Sequence, residues 1–365
     1  MIFVYGTTGE LIKIAPVVRR LRDSGVEPVM VCTGQQFQQI PPMSDDLGVP
    51  QPHLWLARGR GGHDLERSAD IPVWGVRLAV QILRQRAVLK GAASTGPGVP
   101  TVVVHGDTFT TVIGTLIGKL IGVRVAHIEA GLRSGSWQSP FPEELNRRLV
   151  SKLARLHLCP GPEAVENLER EGTAGAIIDT HRNTVYDNLF DPPVPVGFDV
   201  PERFGLVSIH RFELLRKADD LRQVLEVLRE TADRDTLLFV DHPTTMAALT
   251  GHGLDGLLEH PNLRRIPRVA YQRFISLLRQ SEYLVTDSGG SQEECGYLGH
   301  PCVVHRDRSE RSVGLDGSVL LTGADIGELR RFLVDPTSWR TEPQGHLESP
   351  SDLCVEHLIA PDSGR

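Results

Sequence analysis

Lysine and cysteine are both scarce in this chain, and neither charge sign is in large excess. Five of its 365 residues are lysine, whereas 34 are arginine. Its 39 basic and 46 acidic residues give a net charge of −7, which argues against a nucleic-acid-binding protein because such proteins carry a strongly basic surface. The five cysteines contain no C-x-x-C pair, so they indicate neither a zinc site nor a disulfide framework. We expect five reduced thiols in the core.

Long hydrophobic runs are also missing. A membrane-spanning helix needs about 20 consecutive apolar residues, and charge or glycine interrupts the longest candidates. The chain starts directly with Ile2-Phe-Val-Tyr5, which is typical of a buried strand and unlike a basic leader followed by an apolar block. These absences predict a cytoplasmic protein with neither a nucleic-acid nor a membrane partner.

The length predicts about two domains. Short apolar runs such as Ile2–Tyr5 and Leu156–Cys159 alternate with helical periodicity up to residue 190. A second alternating series, which includes the run Tyr283–Thr286, begins near 204. The proline-rich stretch between them reads as a linker. The predicted class is α/β, with two doubly wound Rossmann-like domains facing a cleft, where ligands bind in such folds. The predicted ranges are an N-terminal domain at 1–190, a linker at 191–203, a C-terminal domain at 204–340 and a tail at 341–365.

Three acids stand where predicted strands end or helices begin. Asp107 closes the strand Val102-Val-Val-His-Gly-Asp107, Glu129 follows Val125-Ala-His-Ile128, and Glu143 comes directly after Pro142. Carboxylates at one edge of a sheet repel one another and lose solvent, which suits some of them to proton transfer. Simple helix capping is the alternative, above all for Asp107 and Glu143.

Two basic side chains are placed to accompany these acids. Arg147 lies four residues after Glu143, so it shares its helix face and can pair with that acid or with a phosphate. His210 ends the first strand of the second domain, where it can titrate near neutral pH or donate to a phosphate. Glu213 is close enough in sequence to orient His210.

The sharpest local signal is Thr286-Asp-Ser-Gly-Gly-Ser-Gln-Glu-Glu294. A strand runs into Ser288, Gly289 and Gly290 and then into a helix, so backbone N–H groups are left to bind a phosphate. Glu294, one turn into that helix, is placed to accept from ribose hydroxyl groups. A plain glycine-rich turn is the alternative.

Two further residues are candidate ligand contacts. Lys13 lies in the first turn of the first helix, after Gly6-Thr-Thr-Gly9, and can reach an anion. That loop matches neither a Walker A motif nor G-x-G-x-x-G, which disfavours an ATPase or a dinucleotide reductase. Phe274 can stack on a base, although an aromatic residue on a helix is more often part of the core.

Taken in order, these segments resemble the non-hydrolysing UDP-N-acetylglucosamine 2-epimerases over about residues 1 to 335. The matching pieces are Gly6-Thr7 with Glu10 and Lys13, Thr33-Gly-Gln35, His105-Gly-Asp-Thr108, His127-Ile-Glu-Ala-Gly-Leu-Arg133, Pro140-Phe-Pro-Glu-Glu-Leu-Asn-Arg147, Asn183-Thr-Val185, His210-Arg211, and Thr286 to Glu294 with Glu310-Arg311. The resemblance implies a glycosyltransferase-B architecture, a UDP-sugar substrate, a homodimer, and neither a nucleotide cofactor nor a required metal. The apolar stretch Val112–Leu120 fits a dimer contact or a buried helix equally well.

By the same resemblance the protein removes UDP from UDP-GlcNAc by anti-elimination and re-adds it with protonation at the opposite face of C2, which gives UDP-ManNAc. Asp107, Glu129 and Glu143 match the acid/base carboxylates of the family, and His210 matches its histidine beside the diphosphate. Nucleotide-contact positions are matched by Lys13, Phe274, Ser288, Gly290, Glu294 and Arg311.

The chain departs from the family pattern at Thr8-Gly9, where the family usually has Arg-Pro. The missing cation would weaken stabilisation of the leaving diphosphate. Four alternatives therefore remain open: a hydrolysing enzyme that releases ManNAc and UDP, an epimerase of a modified UDP-sugar in secondary metabolism, a non-catalytic UDP-sugar sensor, and a glycosyltransferase.

Overall fold

A computed structural model describes residues 1–59, 61–65, 70–96, 98–134, 142–309, 311–315, 317–345 and 348–361. Pro140 and Phe141 of the predicted acid motif and Glu310 of the predicted nucleotide motif lie outside these ranges. The chain divides into two compact units. The first is Met1–Phe190 together with Leu347–Arg365, and the second is Asp191–His346.

The first unit contains a parallel sheet of seven described strands in the order β3-β2-β1-β4-β5-β6-β7. The strands are β1 Ile2–Tyr5, β2 Val29–Cys32, β3 Leu54–Trp55, β4 Thr101–His105, β5 Arg124–Ile128, β6 Leu156–Cys159 and β7 Ala176–Asp179. The helices are α1 Thr8–Asp23, α2 Ile40–Asp46, α3 Ile71–Arg84, α4 Arg86–Ala93, α5 Phe109–Ile121, α6 Glu143–Leu153, α7 Pro162–Arg170 and α8 Val185–Asn188. The order reverses beside β1, as in doubly wound folds.

The second unit repeats this topology with six described strands in the order β10-β9-β8-β11-β12-β13, again all parallel. The strands are β8 Gly205–Ser208, β9 Leu237–Asp241, β10 Leu263–Pro267, β11 Tyr283–Thr286, β12 Cys302–Val304 and β13 Val319–Leu321. The helices are α9 Phe212–Leu215, α10 Ala218–Ala232, α11 Pro243–His252, α12 Tyr271–Gln280, α13 Gly289–Leu298 and α14 Ile326–Val334, with 3-10 turns at Asp255–Leu258 and Pro336–Trp339. The predicted α/β class with two Rossmann-like units is confirmed.

The central strands are buried on both faces because helices cover both sides of a parallel sheet. All four residues of β1 are fully buried, and so are all five of β4. Each unit has a buried apolar cluster among its described residues: Val104 and Ile117 belong to one in the first unit, and Leu225 and Phe239 belong to one in the second. The five cysteines are free and buried, as expected. Within the described residues, no helix is long and apolar enough to cross a membrane.

The C-terminal helix α15, Pro350–Ile359, returns to the first unit. The backbone N–H of Ser351 donates to Asp187 at 3.0 Å, and Arg20 of α1 pairs with Asp352 at 2.7 Å. The end of the chain therefore packs behind α1, the helix that carries Glu10 and Lys13.

Helix α5 approaches the sheet closely because it has glycine at the contact. A Cβ atom at Gly114 would lie 2.5 Å from Cγ1 of Val104 and 3.0 Å from Cβ of Val4. Gly91 in α4 offers a contrast, since a Cβ there would meet nothing within 4 Å.

We expect Gly114→Ala to lower the free energy of unfolding by about 1–3 kcal/mol, because the methyl group overpacks the valines of β1 and β4. Gly91→Ala is the matched control and should raise it by about 0.5–1 kcal/mol through helix propensity alone. Urea unfolding of both variants measures the difference. Equal effects of the two substitutions would contradict the close packing of α5.

Candidate active site

Glu129 is the most constrained acid of the first unit. It follows β5 with φ at 64°, a left-handed conformation that costs a residue with a side chain about 1–2 kcal/mol. Its buried carboxylate accepts hydrogen bonds from the Lys13 ammonium and from the Asn183 amide. Nε2 of His105 lies 3.7 Å from the same oxygen of Glu129. Groups from α1, β4 and the segment before α8 therefore converge on one carboxylate.

Lys13 is buried, and the anion that the structure gives it is Glu129. Its backbone carbonyl accepts a hydrogen bond from the Thr184 hydroxyl at 2.5 Å. This bond ties the first turns of α1 to the residue next to Asn183. The lysine and the amide that hold Glu129 are thus also held to each other.

Glu10 joins the loop after β1 to the loop after β4. One carboxylate oxygen accepts from the backbone N–H groups of Gly6 and Thr7, both at 2.9 Å, and the other accepts from the Thr108 hydroxyl at 2.7 Å. Burial raises the pKa of Glu10, and these hydrogen bonds act against that rise. Thr8 stands where the family usually has arginine, and its backbone N–H donates to Gln36 Oε1 at 2.7 Å.

Asp107 is oriented by two neighbouring residues of α6. Its carboxylate accepts from Nη2 of Arg147 at 2.5 Å, and its backbone carbonyl accepts from the Asn146 amide at 2.8 Å. Arg147 also contacts Glu144 at 3.4 Å. The expected pairing of Arg147 with Glu143 is wrong: its carboxylate partners are Asp107 and Glu144. A buried arginine between two acids fixes the loop after β4 against α6.

Glu143 is the first residue of α6, and it is half-buried. Its Oε2 atom is shielded from solvent and makes no hydrogen bond within the described part of the chain. The helix begins after Pro142 without a side-chain cap. No hydrogen bond therefore supports helix capping by Glu143. Its buried carboxylate oxygen can instead bind a ligand.

In the second unit, Asp287 organises the loop that carries His210. The buried carboxylate of Asp287 accepts from the backbone N–H groups of His210 at 3.1 Å and Arg211 at 2.8 Å, and Nδ1 of His210 lies 3.7 Å away. Burial lowers the pKa of His210, and the Asp287 charge opposes this. The expectation that Glu213 orients His210 needs correction, because Glu213 hydrogen-bonds to Arg211 at 3.1 Å.

The glycine-rich turn forms the N-terminus of α13, as the sequence predicts. The Ser288 side chain caps the helix by accepting from the Ser291 N–H. A Cβ on Gly289 would lie 3.3 Å from guanidinium nitrogens of both Arg306 and Arg311. Arg311 also pairs with Glu293 in the same helix. Two arginines beside a helix N-terminus make a site suited to a phosphate group.

Glu294 and Phe274 are joined through α12. The buried carboxylate of Glu294 accepts from the Tyr271 hydroxyl at 2.9 Å, and Phe274 lies one turn after that tyrosine. Phe274 is half-buried and Gly290 is partly exposed.

Asp287, His105 and Asn183 are contacts that the reasoning from individual residues missed. Asp287 lies inside the segment Thr286 to Glu294, and His105 and Asn183 begin two of the segments that carry the family resemblance. An acid that immediately follows the buried strand β11 was the available signal for Asp287. In the described part of the chain, no group of three or more His, Cys, Asp or Glu side chains is placed to hold a metal ion.

Comparisons with known proteins find similar sequences over most of the chain. The family model described as UDP-N-acetylglucosamine 2-epimerase matches residues 91–331. The chain is 30% identical to the UDP-N-acetylglucosamine 2-epimerase of Yersinia pestis, over 94% of this chain and 93% of that protein. It is 29% identical to the enzyme of that name from Bacillus subtilis, over 98% and 94%.

A solved structure extends the likeness to the fold. It is the UDP-GlcNAc 2-epimerase of Methanocaldococcus jannaschii in complex with UDP-GlcNAc and UDP. The TM-score is 0.77 at 25% identity, and the match covers 98% of each chain.

The buried Lys13–Glu129 pair generates a stability prediction. Lys13→Met alone should lower the free energy of unfolding by about 3–5 kcal/mol, because it leaves the Glu129 charge buried without its cation. Lys13→Met combined with Glu129→Gln should cost less than the single change. The exposed pair Lys217–Asp220, 3.2 Å apart, is the control, and its disruption should cost below about 1 kcal/mol. Urea unfolding measures all variants, and additive effects of the two changes would rule out this coupling.

Proposed function

The chain belongs to the UDP-N-acetylglucosamine 2-epimerase family, and we propose that it interconverts UDP-GlcNAc and UDP-ManNAc by eliminating and re-adding UDP. The observation that carries the proposal is the set of three carboxylates on the loops after β4 and β5 and at the start of α6. Their surroundings differ: Glu129 contacts an ammonium group, Asp107 an arginine, and Glu143 keeps a buried oxygen without a hydrogen bond in the described chain. Carboxylates in unlike surroundings can serve as acid and base at one pH.

The proposed reaction needs one proton transfer in each direction. A carboxylate removes the proton from C2, the electron pair forms the C1–C2 double bond, and the C1–O bond breaks to release UDP. In the return step, the UDP oxygen attacks C1 and a carboxylic acid delivers a proton to the opposite face of C2. We assign the two proton transfers to carboxylates of the set Asp107, Glu129 and Glu143. One of them acts on each face of C2.

The leaving diphosphate needs positive charge and hydrogen-bond donors. We assign its binding to the second unit, where Ser288, Gly289 and Gly290 begin α13 beside Arg311. His210 adds a donor, since Asp287 fixes the loop that carries it. Phe274 and Glu294, which α12 and its tyrosine bring together, are assigned to the base and ribose. We assign Lys13 and Arg147 an indirect contribution to substrate binding through the acids that they contact.

Proton NMR of the protein with UDP-GlcNAc in D2O tests this function. The expected product is UDP-ManNAc with deuterium at C2, because the abstracted proton exchanges with solvent before it returns. Free ManNAc with UDP would instead indicate a hydrolysing enzyme. An unchanged spectrum would reject the proposed reaction with this substrate, and UDP binding measured by calorimetry would then separate a sensor from an inactive fold.

We propose further that the protein is a homodimer that uses the outer face of α3. Val73, Val76, Val80 and Leu83 follow one another at spacings of three, four and three residues, and their exposed fractions lie between 41% and 66%. Such a stripe is typical of a helix that packs against a copy of itself. Helices α4, α5 and α6 also carry exposed apolar side chains, at Val88, Phe109, Leu116, Leu145 and Leu149. Helix α5 buries most of its own apolar length against the sheet.

Val76→Glu combined with Val80→Glu should convert the dimer to a monomer, because it buries charge at the proposed contact. Light scattering with size-exclusion chromatography measures the mass. Val334→Glu is the matched control, since Val334 is a 73% exposed valine on α14 of the second unit. A wild-type monomer, or a dimer that survives the double change, would contradict this interface.

We place the protein in the cytoplasm. The five free, buried cysteines support this location because thiols stay reduced there. Recovery of the protein from a membrane or an extracellular fraction would contradict it.

A further inference from the structure

A fully buried histidine, His127 of β5, contacts the loop that carries Asp107. Its Nε2 atom lies 2.8 Å from the backbone carbonyl oxygen of Gly106. Because a carbonyl only accepts, this nitrogen bears the hydrogen and donates it. Burial lowers the pKa of His127 to about 3, so the ring is neutral at physiological pH. The histidine is therefore a fixed hydrogen-bond donor.

The Gly106 peptide lies between two of the candidate acids. Its φ of 70° is in the left-handed region, which favours glycine, and Asp107 is the next residue. The Gly106 N–H donates to the Ile128 carbonyl at 3.0 Å, directly before Glu129. A Cβ on Gly106 would lie 3.8 Å from Oε1 of Glu129. The Gly106 carbonyl belongs to the peptide that leads into Asp107, and the Gly106 N–H, in the preceding peptide, bonds the carbonyl that leads into Glu129. The position of this one residue therefore affects both Asp107 and Glu129.

We propose that His127 is a positioning residue for the acid/base carboxylates: its hydrogen bond to the Gly106 carbonyl holds the peptide that leads into Asp107 and fixes a residue whose N–H bonds the carbonyl before Glu129. This inference rests on the proposed function, in which those acids move the C2 proton. Arg147 fixes the Asp107 carboxylate from α6, and His127 fixes its backbone from β5. The two contacts act on opposite ends of the residue.

His157 provides a control of the same chemistry. It pairs in register with His127 on the neighbouring strand β6, it is also fully buried, and burial lowers its pKa as well. Its Nε2 atom contacts the carbonyl oxygen of Ala174 at 3.2 Å, just before β7 begins. The carbonyl held by His157 thus lies at the amino edge of the sheet, and the one held by His127 lies at the carboxyl edge.

The test compares His127→Gln, His127→Leu and His157→Leu in the full-length protein. Glutamine can place an amide N–H near the position of Nε2, whereas leucine has no donor. We expect His127→Leu to lower kcat by about tenfold to a hundredfold with little change in KM, since misplacement of a reacting group by about 1 Å can cost a factor of a hundred. We expect His127→Gln to restore most of that loss. His157→Leu should destabilise the protein to a similar extent and leave kcat near the wild-type value.

Equal losses of kcat in the two leucine variants, or no rescue by glutamine, would overturn the proposal. If His127→Leu does not fold, His127→Asn replaces it, because its shorter amide cannot reach Gly106. A readout independent of turnover separates this inference from the proposed function. In long-range proton–nitrogen NMR of the 15N-labelled protein, His127 should be a neutral Nε2–H tautomer from pH 5 to 8. A neutral Nδ1–H tautomer, which has no hydrogen on Nε2 to donate to Gly106, would reject the positioning role, even in a protein that turned over no UDP-GlcNAc.

Discussion

Burial of the Glu129 carboxylate is the constraint on which the first unit depends. An ionised carboxylate away from water is unfavourable unless cations and donors surround it. The chain meets this requirement with Lys13 from α1, Asn183 from the segment before α8 and His105 from β4. These residues are far apart in sequence, so the sheet has to form before the site exists. Helix α15 then packs behind α1 and α8 and helps to hold two of the three segments in place.

Two further buried carboxylates, those of Glu10 and Asp287, are also surrounded by donors, and here the donors include backbone N–H groups. Glu10 binds the N–H groups of Gly6 and Thr7 and reaches across to Thr108. Asp287 binds the N–H groups of His210 and Arg211. In each case a buried acid fixes a loop at the carboxyl end of the central strands, where doubly wound folds bind ligands. Glu10 and Asp287 thus fix loops, whereas the candidate acids Asp107 and Glu143 are more exposed.

Local sequence patterns predict the strands that are buried on both faces. The apolar runs predicted β1, β6 and β11 with the bounds that the structure has, because both faces of these strands are buried. The apolar runs do not predict β3, β10 and β13. The strands β3 and β13 have only two and three residues, and exposed arginines interrupt β10. The side-chain pairings failed for a related reason. Spacing along a helix suggested Glu143 for Arg147, and proximity in sequence suggested Glu213 for His210. The actual partners, Asp107 and Asp287, are 40 and 77 residues away.

In the proposed reaction the acids of the first unit move the C2 proton and the second unit holds UDP. Glu129→Gln separates these two roles, and the quantities to measure are its deuterium incorporation at C2 and its affinity for UDP. We expect exchange to fall by at least about a hundredfold, as for loss of a general acid or base, while the Kd for UDP stays near the wild-type value. Exchange at the wild-type rate, or loss of UDP binding in step with exchange, would contradict this division of roles.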